Sequence, residues 1–334
     1  MNQEIPSNLG LDMVRVTETV ALTAGRWMGL RQAAQADRAA TDVMVESLNR
    51  LNIKGVVVLG EEERLGVHTL LDSGNMVGTG EGPLLDLVFD PIDGTQLLAV
   101  GHSDSISVVG MAPRGMMASL FPAVYMDKIV VDREAAAFLA PECLDAPAAW
   151  TLAHVARGKK KRVRDLVVFV LNRPRHKHLI EEICTAGARV ILRSQGDIAG
   201  AIMAASPEID VDLLMGVGGA TEGVIASCGI KSLGGAMLGR LTPQSDHERT
   251  AVLEAGLDTS QILTCEELVA GEEVFFVATG ITNGAIMSGV RYQGDRARTE
   301  SIILRCKTKT RRVVITEHSI DFEDLKQSRT HYSS

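Results

Sequence analysis

Asp90-Pro91-Ile92-Asp93-Gly94-Thr95 is the segment of this chain best equipped for chemistry. It follows a dense apolar run, Leu84 to Phe89, that reads as a buried strand. Its two carboxylates flank a proline at the strand exit, where ligands collect in α/β sheets. Pro91 is expected to end the ladder, and Gly94 to permit a tight turn. Such a turn can aim Asp90, Asp93, the Ile92 carbonyl and the Thr95 hydroxyl at one point. An all-oxygen cluster suits Mg²⁺ or Mn²⁺, and a pair of these ions can clamp a phosphoryl group during attack by water. A polar turn after a strand would explain a lone Asp-Gly. The complete hexapeptide favours the metal.

Other candidates are weaker taken singly. Arg173 and Arg175 bracket Pro174 between an expected strand, Val167 to Leu171, and a helix reaching about Ala186. Guanidinium forks at a helix start suit a second phosphate, although exposed arginines on a loop are ordinary. Asp37 is expected at the start of a helix, Glu61 at the end of strand Val56 to Leu59, and Glu222 at a helix start after Gly218-Gly219. Capping, solvation at a strand end and complementing a helix dipole would explain each of them equally well. Thr95 can orient or deprotonate a water, and closing the turn is compatible with that role. His176 and His178 stand two apart and share no helix face.

The hexapeptide resembles the signature of the inositol-monophosphatase-like, metal-dependent phosphatase superfamily. Further segments narrow the resemblance to the class II fructose-1,6-bisphosphatases (GlpX type). They are Arg15-Val16-Thr17-Glu18, Gly25-Arg26-Trp27-Met28-Gly29, Val58-Leu59-Gly60-Glu61, Tyr125-Met126-Asp127-Lys128, Arg173-Pro174-Arg175-His176, Gly216 to Gly223 and Ala278 to Thr282. They occur in the family's order from about residue 10 to 318.

The resemblance implies an α/β fold, a layered α-β-α-β-α sugar-phosphatase sandwich of two packed lobes. It implies a hydrolase that removes the 1-phosphate of fructose 1,6-bisphosphate in gluconeogenesis. Two ions, Mn²⁺ or Mg²⁺, are implied: Asp37 and Glu61 would hold one, and Asp90, Asp93 and Glu222 the other, with Asp90 placed to bridge. Thr95 would be catalytic. Substrate contacts would come from Asp93, Gly94, Thr95, Tyr125, Arg173, Pro174, Arg175, Gln195, Gly196, Asp197 and Gly219. The partner is a small sugar bisphosphate, and a homo-oligomer, dimer or tetramer, is expected.

The chain departs from the family pattern at supporting positions. Ala33 stands for a lysine, Leu65 for a carboxylate, Gln195 for Asp, Thr221 for Pro, and Asp93 for the commoner Glu. All five expected metal carboxylates remain. Loss of supporting charge can cost orders of magnitude in rate, so sedoheptulose 1,7-bisphosphate, another small phosphoester, or an attenuated regulatory role stay open alternatives.

Composition sets the frame for these residues. With 334 residues and 46% hydrophobic content, the chain can bury a large core. A net charge of −8 argues against a nucleic-acid surface. The five cysteines are widely spaced, as in a reduced, cytoplasmic protein. Neither a signal peptide nor an apolar run able to span a bilayer is expected.

Amphipathic spacing predicts helices over Leu9 to Leu30 and Asp37 to Asn52, the first capped by Ser7 or Asn8. A Gly-rich stretch from 74 to 82 follows, and a hairpin is expected from Ser105 to Met111 and Met116 to Phe121. The loosened pattern from Ala135 to Asp165 reads as a junction between lobes. It contains a solvated basic run, Lys159 to Arg162. The lobes would be 1–150, with most metal ligands, and 151–334, completing the substrate site. Strand Arg189 to Leu192, helix Asp197 to Ala205, strand Val211 to Met215 and helix Glu222 to Leu233 give that second lobe its α/β character. Strands Val274 to Ala278, Thr299 to Arg305 and Arg312 to Thr316 follow, before a polar, loose tail.

Overall fold

The computed structural model describes residues 5–6, 8–60 and 69–320. Helix α1 (Leu9–Ala24) buries Met13, Val16, Val20 and Ala24, the three- and four-residue spacing of one helix face. It ends at Ala24, before Leu30, in a 3-10 turn at Gly25–Trp27. Tyr292 accounts for this. Its hydroxyl donates to the Leu22 carbonyl at 2.6 Å, and a Cβ on Gly25 would lie 2.7 Å from that hydroxyl. Asn8 makes no side-chain cap, and Ser7 lies outside the described residues.

Helix α2 (Ala33–Leu48) begins before Asp37 and stops before Asn52. Ala33-Ala34-Gln35-Ala36 are strong helix formers, so Asp37 rides on the second turn and Gln32, not Asp37, is the N-cap residue.

The chain lays four strands into a first sheet: β1 (Lys54–Leu59), β2 (Met76–Val77), β3 (Leu84–Asp93) and β4 (Ile106–Pro113). It crosses to a second sheet for β5 (Tyr125–Val131), β6 (Val167–Leu171), β7 (Arg189–Arg193), β8 (Leu213–Gly219), β9 (Ala236–Leu241) and β10 (Leu263–Thr264). It returns to the first for β11 (Phe275–Gly280), β12 (Arg291–Gln293), β13 (Arg296–Arg305) and β14 (Thr310–Ser319). The orders are β12-β13-β11-β4-β3-β1-β2, with β14 on β13, and β10-β9-β5-β8-β6-β7. The two sheets are therefore not the contiguous segments 1–150 and 151–334.

Three expectations need correction. Pro91 does not end β3: the ladder shifts register after Asp90 and resumes at Asp93, which pairs with Ile106. A missing N–H is tolerated at such a bulge. Met116 to Phe121 is not a strand of a hairpin, because β4 pairs with β3 and β11. The Asp86 carboxylate instead accepts the Met116 and Met117 N–H groups at 2.8 and 3.0 Å. Nor is the basic run solvated throughout: Lys160, Lys161 and Arg162 are exposed, but Lys159 is not. Lys159 is only 4% exposed and bridges Asp132 at 2.7 Å and Asp212 at 2.9 Å, since a buried ammonium needs carboxylate partners.

Short helix α3 (Thr95–Ala99) follows the hexapeptide, and α4 (Ala148–Gly158) and α5 (Lys177–Thr185) pack outside the second sheet. Helices α6 (Asp197–Ala205) and α7 (Ala220–Leu233) lie between the sheets. Every residue of α6 is buried, as expected of an interior helix that is apolar all round. Helices α1 and α2 cover the outer face of the first sheet. The expected α-β-α-β-α sandwich is the architecture found. Among the described residues, no helix is long and apolar enough to cross a membrane.

Candidate active site

The carboxylate turn, the double-arginine turn and the first turns of α6 and α7 open onto one cavity of about 650 Å³. Asp37, Asp90, Asp93, Gly94, Thr95, Tyr125, Arg173, Pro174, Arg175, Gln195, Gly196, Asp197, Gly219 and Glu222 all line it. Glu61 and Leu65 lie outside the described residues. The sheets meet here: β3 and α2 carry acidic groups from one side, and β6, β8 and the interior helices close the other.

The hexapeptide is held by its own side chains. Asp90 Oδ1 accepts the Ile92 N–H at 3.0 Å, and Thr95 Oγ1 donates to the Ile92 carbonyl at 3.1 Å. Gly94 adopts φ +90°, a left-handed conformation glycine takes without strain. Asp93 Oδ2 accepts the Ala199 N–H at 2.9 Å, within the first turn of α6. That bond fastens the carboxylate turn to an interior helix, and a carboxylate there is also favoured by the helix dipole.

Two glycines make room for acids on the opposite wall. A Cβ on Gly219 would fall 1.5 Å from Glu222 Oε2, and one on Gly218 would fall 1.9 Å from Asp197 Oδ2. The carboxylates of Glu222 and Asp197 thus lie flat on backbone that no side chain shields. Asp90, Asp93 and Glu222 are all buried. Among the described residues, no three His, Cys, Asp or Glu groups converge tightly enough to cage an ion unaided. The donor set is nonetheless hard and all-oxygen. Mg²⁺-type sites commonly combine one or two carboxylates with water and substrate phosphate, and these residues fit that pattern.

The cationic groups are equally organised. Arg175 Nε and Nη2 donate to the Val217 carbonyl at 3.2 and 2.8 Å, and its guanidinium stacks 5.1 Å from the centre of the Tyr125 ring. Burial draws the Arg175 pKa down from its usual value, with Tyr125 opposing, yet an arginine stays charged. His176 braces the same strand: Nε2 accepts the Val217 N–H at 2.8 Å, and Nδ1 donates to the Leu171 carbonyl at 2.6 Å. The histidine is a brace for the arginine turn.

Two departures from the family pattern have physical substitutes. Gln195 Oε1 accepts the Gln96 N–H at 2.7 Å, spanning from the second sheet to α3. Thr221 Oγ1 donates to the Gly60 carbonyl at 3.1 Å, a bond proline cannot make. Ala33 lines the cavity without a charge.

Lys128 is the residue that reading for chemistry missed. It is 1% exposed, and its ammonium donates to Asp197 Oδ2 and, at 2.9 Å, to the Gly219 carbonyl. Strand alternation carried the signal, since Met126 and Lys128 fall on one face and a lysine there must be buried. None of the five cysteines lines the cavity. All five are free, and burial pushes the Cys265 thiol up to about 11 and that of Cys228 further.

The family described as bacterial fructose-1,6-bisphosphatase, glpX-encoded, matches residues 7–318. A fructose-1,6-bisphosphatase class 2 of Haemophilus influenzae is 36% identical over 326 residues, 94% of this chain and 96% of that protein. Fructose-1,6-bisphosphatase 1 class 2 of Escherichia coli K12 is 33% identical over 329 residues, 95% and 96% of the two chains. The crystal structure of the extragenic suppressor protein suhB from Bartonella henselae overlaps 59% of this chain and 73% of its own. Its TM-score is 0.34 at 12% identity.

Proposed function

The chain belongs to the bacterial glpX-encoded fructose-1,6-bisphosphatase family, and on that premise we propose how its cavity performs the reaction. The enzyme is a phosphoric monoester hydrolase that converts fructose 1,6-bisphosphate to fructose 6-phosphate and phosphate in gluconeogenesis. The observation that carries the site assignment is one cavity lined both by Asp37, Asp90, Asp93 and Glu222 and by Arg173 and Arg175. A substrate with two phosphates, one met by metal-binding carboxylates and one by guanidinium groups, fits that lining.

The family's phosphatases are metal-dependent. On this reading Asp37 with Glu61 would hold one ion and Asp90, Asp93 and Glu222 a second, each Mn²⁺ or Mg²⁺. Bound there, the ions would lower the pKa of water and neutralise phosphate charge. Arg173 and Arg175 hold the 6-phosphate, with Arg175 already oriented by Val217 and Tyr125. Pre-ordering of this kind lowers the entropy cost of binding. Tyr125, Gln195, Gly196, Asp197 and Gly219 flank the sugar. At the reacting end, the Thr95 proton is committed to the Ile92 carbonyl, so Oγ1 presents lone pairs to a water O–H. The water oxygen then bonds to phosphorus as the P–O1 bond breaks; one of the water's two protons ends on the departing sugar oxygen and the other stays on the hydrogen phosphate released.

In this assignment the segment 1–150 supplies Asp37, Glu61, Asp90, Asp93 and Thr95, and 151–334 supplies the arginines and Glu222. We also place the enzyme in the cytoplasm as a homo-oligomer, dimer or tetramer. Edge strand β14 supports self-association, exposing Val313 and Ile315 at 53% each.

Phosphate release from fructose 1,6-bisphosphate, with Mn²⁺ or Mg²⁺ after chelation, tests the assignment. Folded Asp90→Asn protein should be inactive. Turnover at the unsubstituted rate would refute the metal roles.

A further inference from the structure

Ala278 to Thr282 contribute no group lining the cavity, yet a buried hydroxyl, that of Ser105, ties the end of this segment to the turn that does. We propose that Ser105 is a positioning residue for the Gly94–Thr95 turn, acting through the Gly94 carbonyl. This rests on the reading that Thr95 orients the attacking water.

Ser105 is fully buried, and its Oγ donates to the Gly94 carbonyl at 2.9 Å. Its own backbone is fixed on both sides. The Ser105 N–H donates to Thr282 Oγ1 at 3.0 Å, and the Ser105 carbonyl accepts from the Ile281 and Thr282 N–H groups at 2.9 and 3.2 Å. Thr282 follows β11, a central strand of the first sheet. The relay therefore runs from a rigid strand end, through Thr282 and Ser105, to Gly94 and the adjoining Thr95.

The turn needs such an anchor. Gly94 has the widest backbone freedom of any residue type, and rotation of its peptide swings the Thr95 side chain. Within the hexapeptide, the bonds to Ile92 hold the front of the turn. Behind it lies α3, a helix of five residues, too short to hold itself without tertiary support. Its Leu98 N–H shares the Gly94 carbonyl with Ser105 at 3.0 Å.

The residue before Ser105 points the same way. Asp104 sits at φ +76°, a conformation side chains other than glycine rarely adopt. It is tied down by three further bonds: its N–H to the Asn283 carbonyl at 3.1 Å, Oδ1 from the Ala285 N–H at 3.0 Å, and Oδ2 from Arg193 Nε at 3.4 Å. Backbone strain over-determined by its surroundings is a mark of functional neighbourhoods. Here it delivers a hydroxyl to the carbonyl at the head of α3.

The test is a kinetic cycle with fructose 1,6-bisphosphate at saturating Mn²⁺, on Ser105→Ala, Thr95→Ala and the double variant. Loss of one neutral hydrogen bond that acts on orientation should lower kcat about three- to ten-fold in Ser105→Ala, with KM within about two-fold. In the Thr95→Ala background, Ser105→Ala should cost nothing more, because the group it positions is gone. A merely structural serine would lower kcat by the same factor in both backgrounds, and that result overturns the proposal. So does an unimpaired kcat in Ser105→Ala when Thr95→Ala is strongly impaired. Unimpaired Thr95→Ala would instead sink the reading of Thr95, and this inference with it. If Ser105→Ala fails to fold, the near-isosteric Ser105→Cys, with its weaker donor, carries the same cycle and the same criteria.

Discussion

Replacing Lys128 with methionine removes an ammonium from beneath the cavity floor and leaves the volume nearly filled. The wild-type Lys128 and Asp197 side chains are 1% and 8% exposed, so water cannot readily take over the vacated role. Asp197 would keep the Gly219 N–H at 3.2 Å, and the Gly219 carbonyl would lose its 2.9 Å donor. Breaking a buried pair from one side costs about 3–5 kcal/mol. The retained N–H places this case near the lower end, about 3 kcal/mol. At about 2–4 °C per kcal/mol for proteins of this general size, the melting temperature should fall by about 6–12 °C. Urea unfolding, compared at equal m, measures the loss directly. The companion Lys128→Met with Asp197→Asn removes the stranded charge and should regain about 1–3 kcal/mol as a coupling energy. Lys128→Met within about 1 kcal/mol of wild type, or strictly additive single effects, would refute the reasoning.

Gly219→Ala drives a methyl into Glu222 Oε2, and displacement of that carboxylate should cost about 100-fold in kcat, read in a phosphate-release assay on folded protein. Arg175→Ala should raise KM for fructose 1,6-bisphosphate about ten- to a hundred-fold while altering turnover of a small monophosphate much less; equal losses would assign the arginine to the fold. Burial holds the His176 pKa below its ordinary 6.5, with the Leu171 carbonyl opposing and Arg175 reinforcing. The unfolded chain therefore gains a proton near pH 6.5 that the folded protein refuses, so His176 lowers stability as pH falls from 6.5 toward the depressed folded value. Chemical denaturation across that window should show a slope that His176→Gln flattens.

Local pattern was enough for elements whose instructions lie within a few turns of chain. Val167–Leu171 and Asp197–Ala205 run over the spans that periodicity predicts, because an unbroken apolar run and the flanking turn residues suffice to define them. The convergence of the hexapeptide's groups on one place was legible for the same reason, since both its carboxylates and its hydroxyl are neighbours in sequence. The gathering of Asp37, Tyr125, Arg175 and Glu222 around it was anticipated only through the family resemblance.

Tertiary structure decided what depends on distant partners. Asp37 reads as a cap until the alanines before it extend α2, and Lys159 reads as solvated until Asp132 and Asp212 close on it. Lys128 meets Asp197 69 positions away, and the Ser105 backbone meets Thr282 177 positions away. Propensity and periodicity act over windows of roughly ten to twenty residues. A buried charge or hydroxyl takes its role from whichever segment the packed sheets bring against it, and desolvation makes that choice binding.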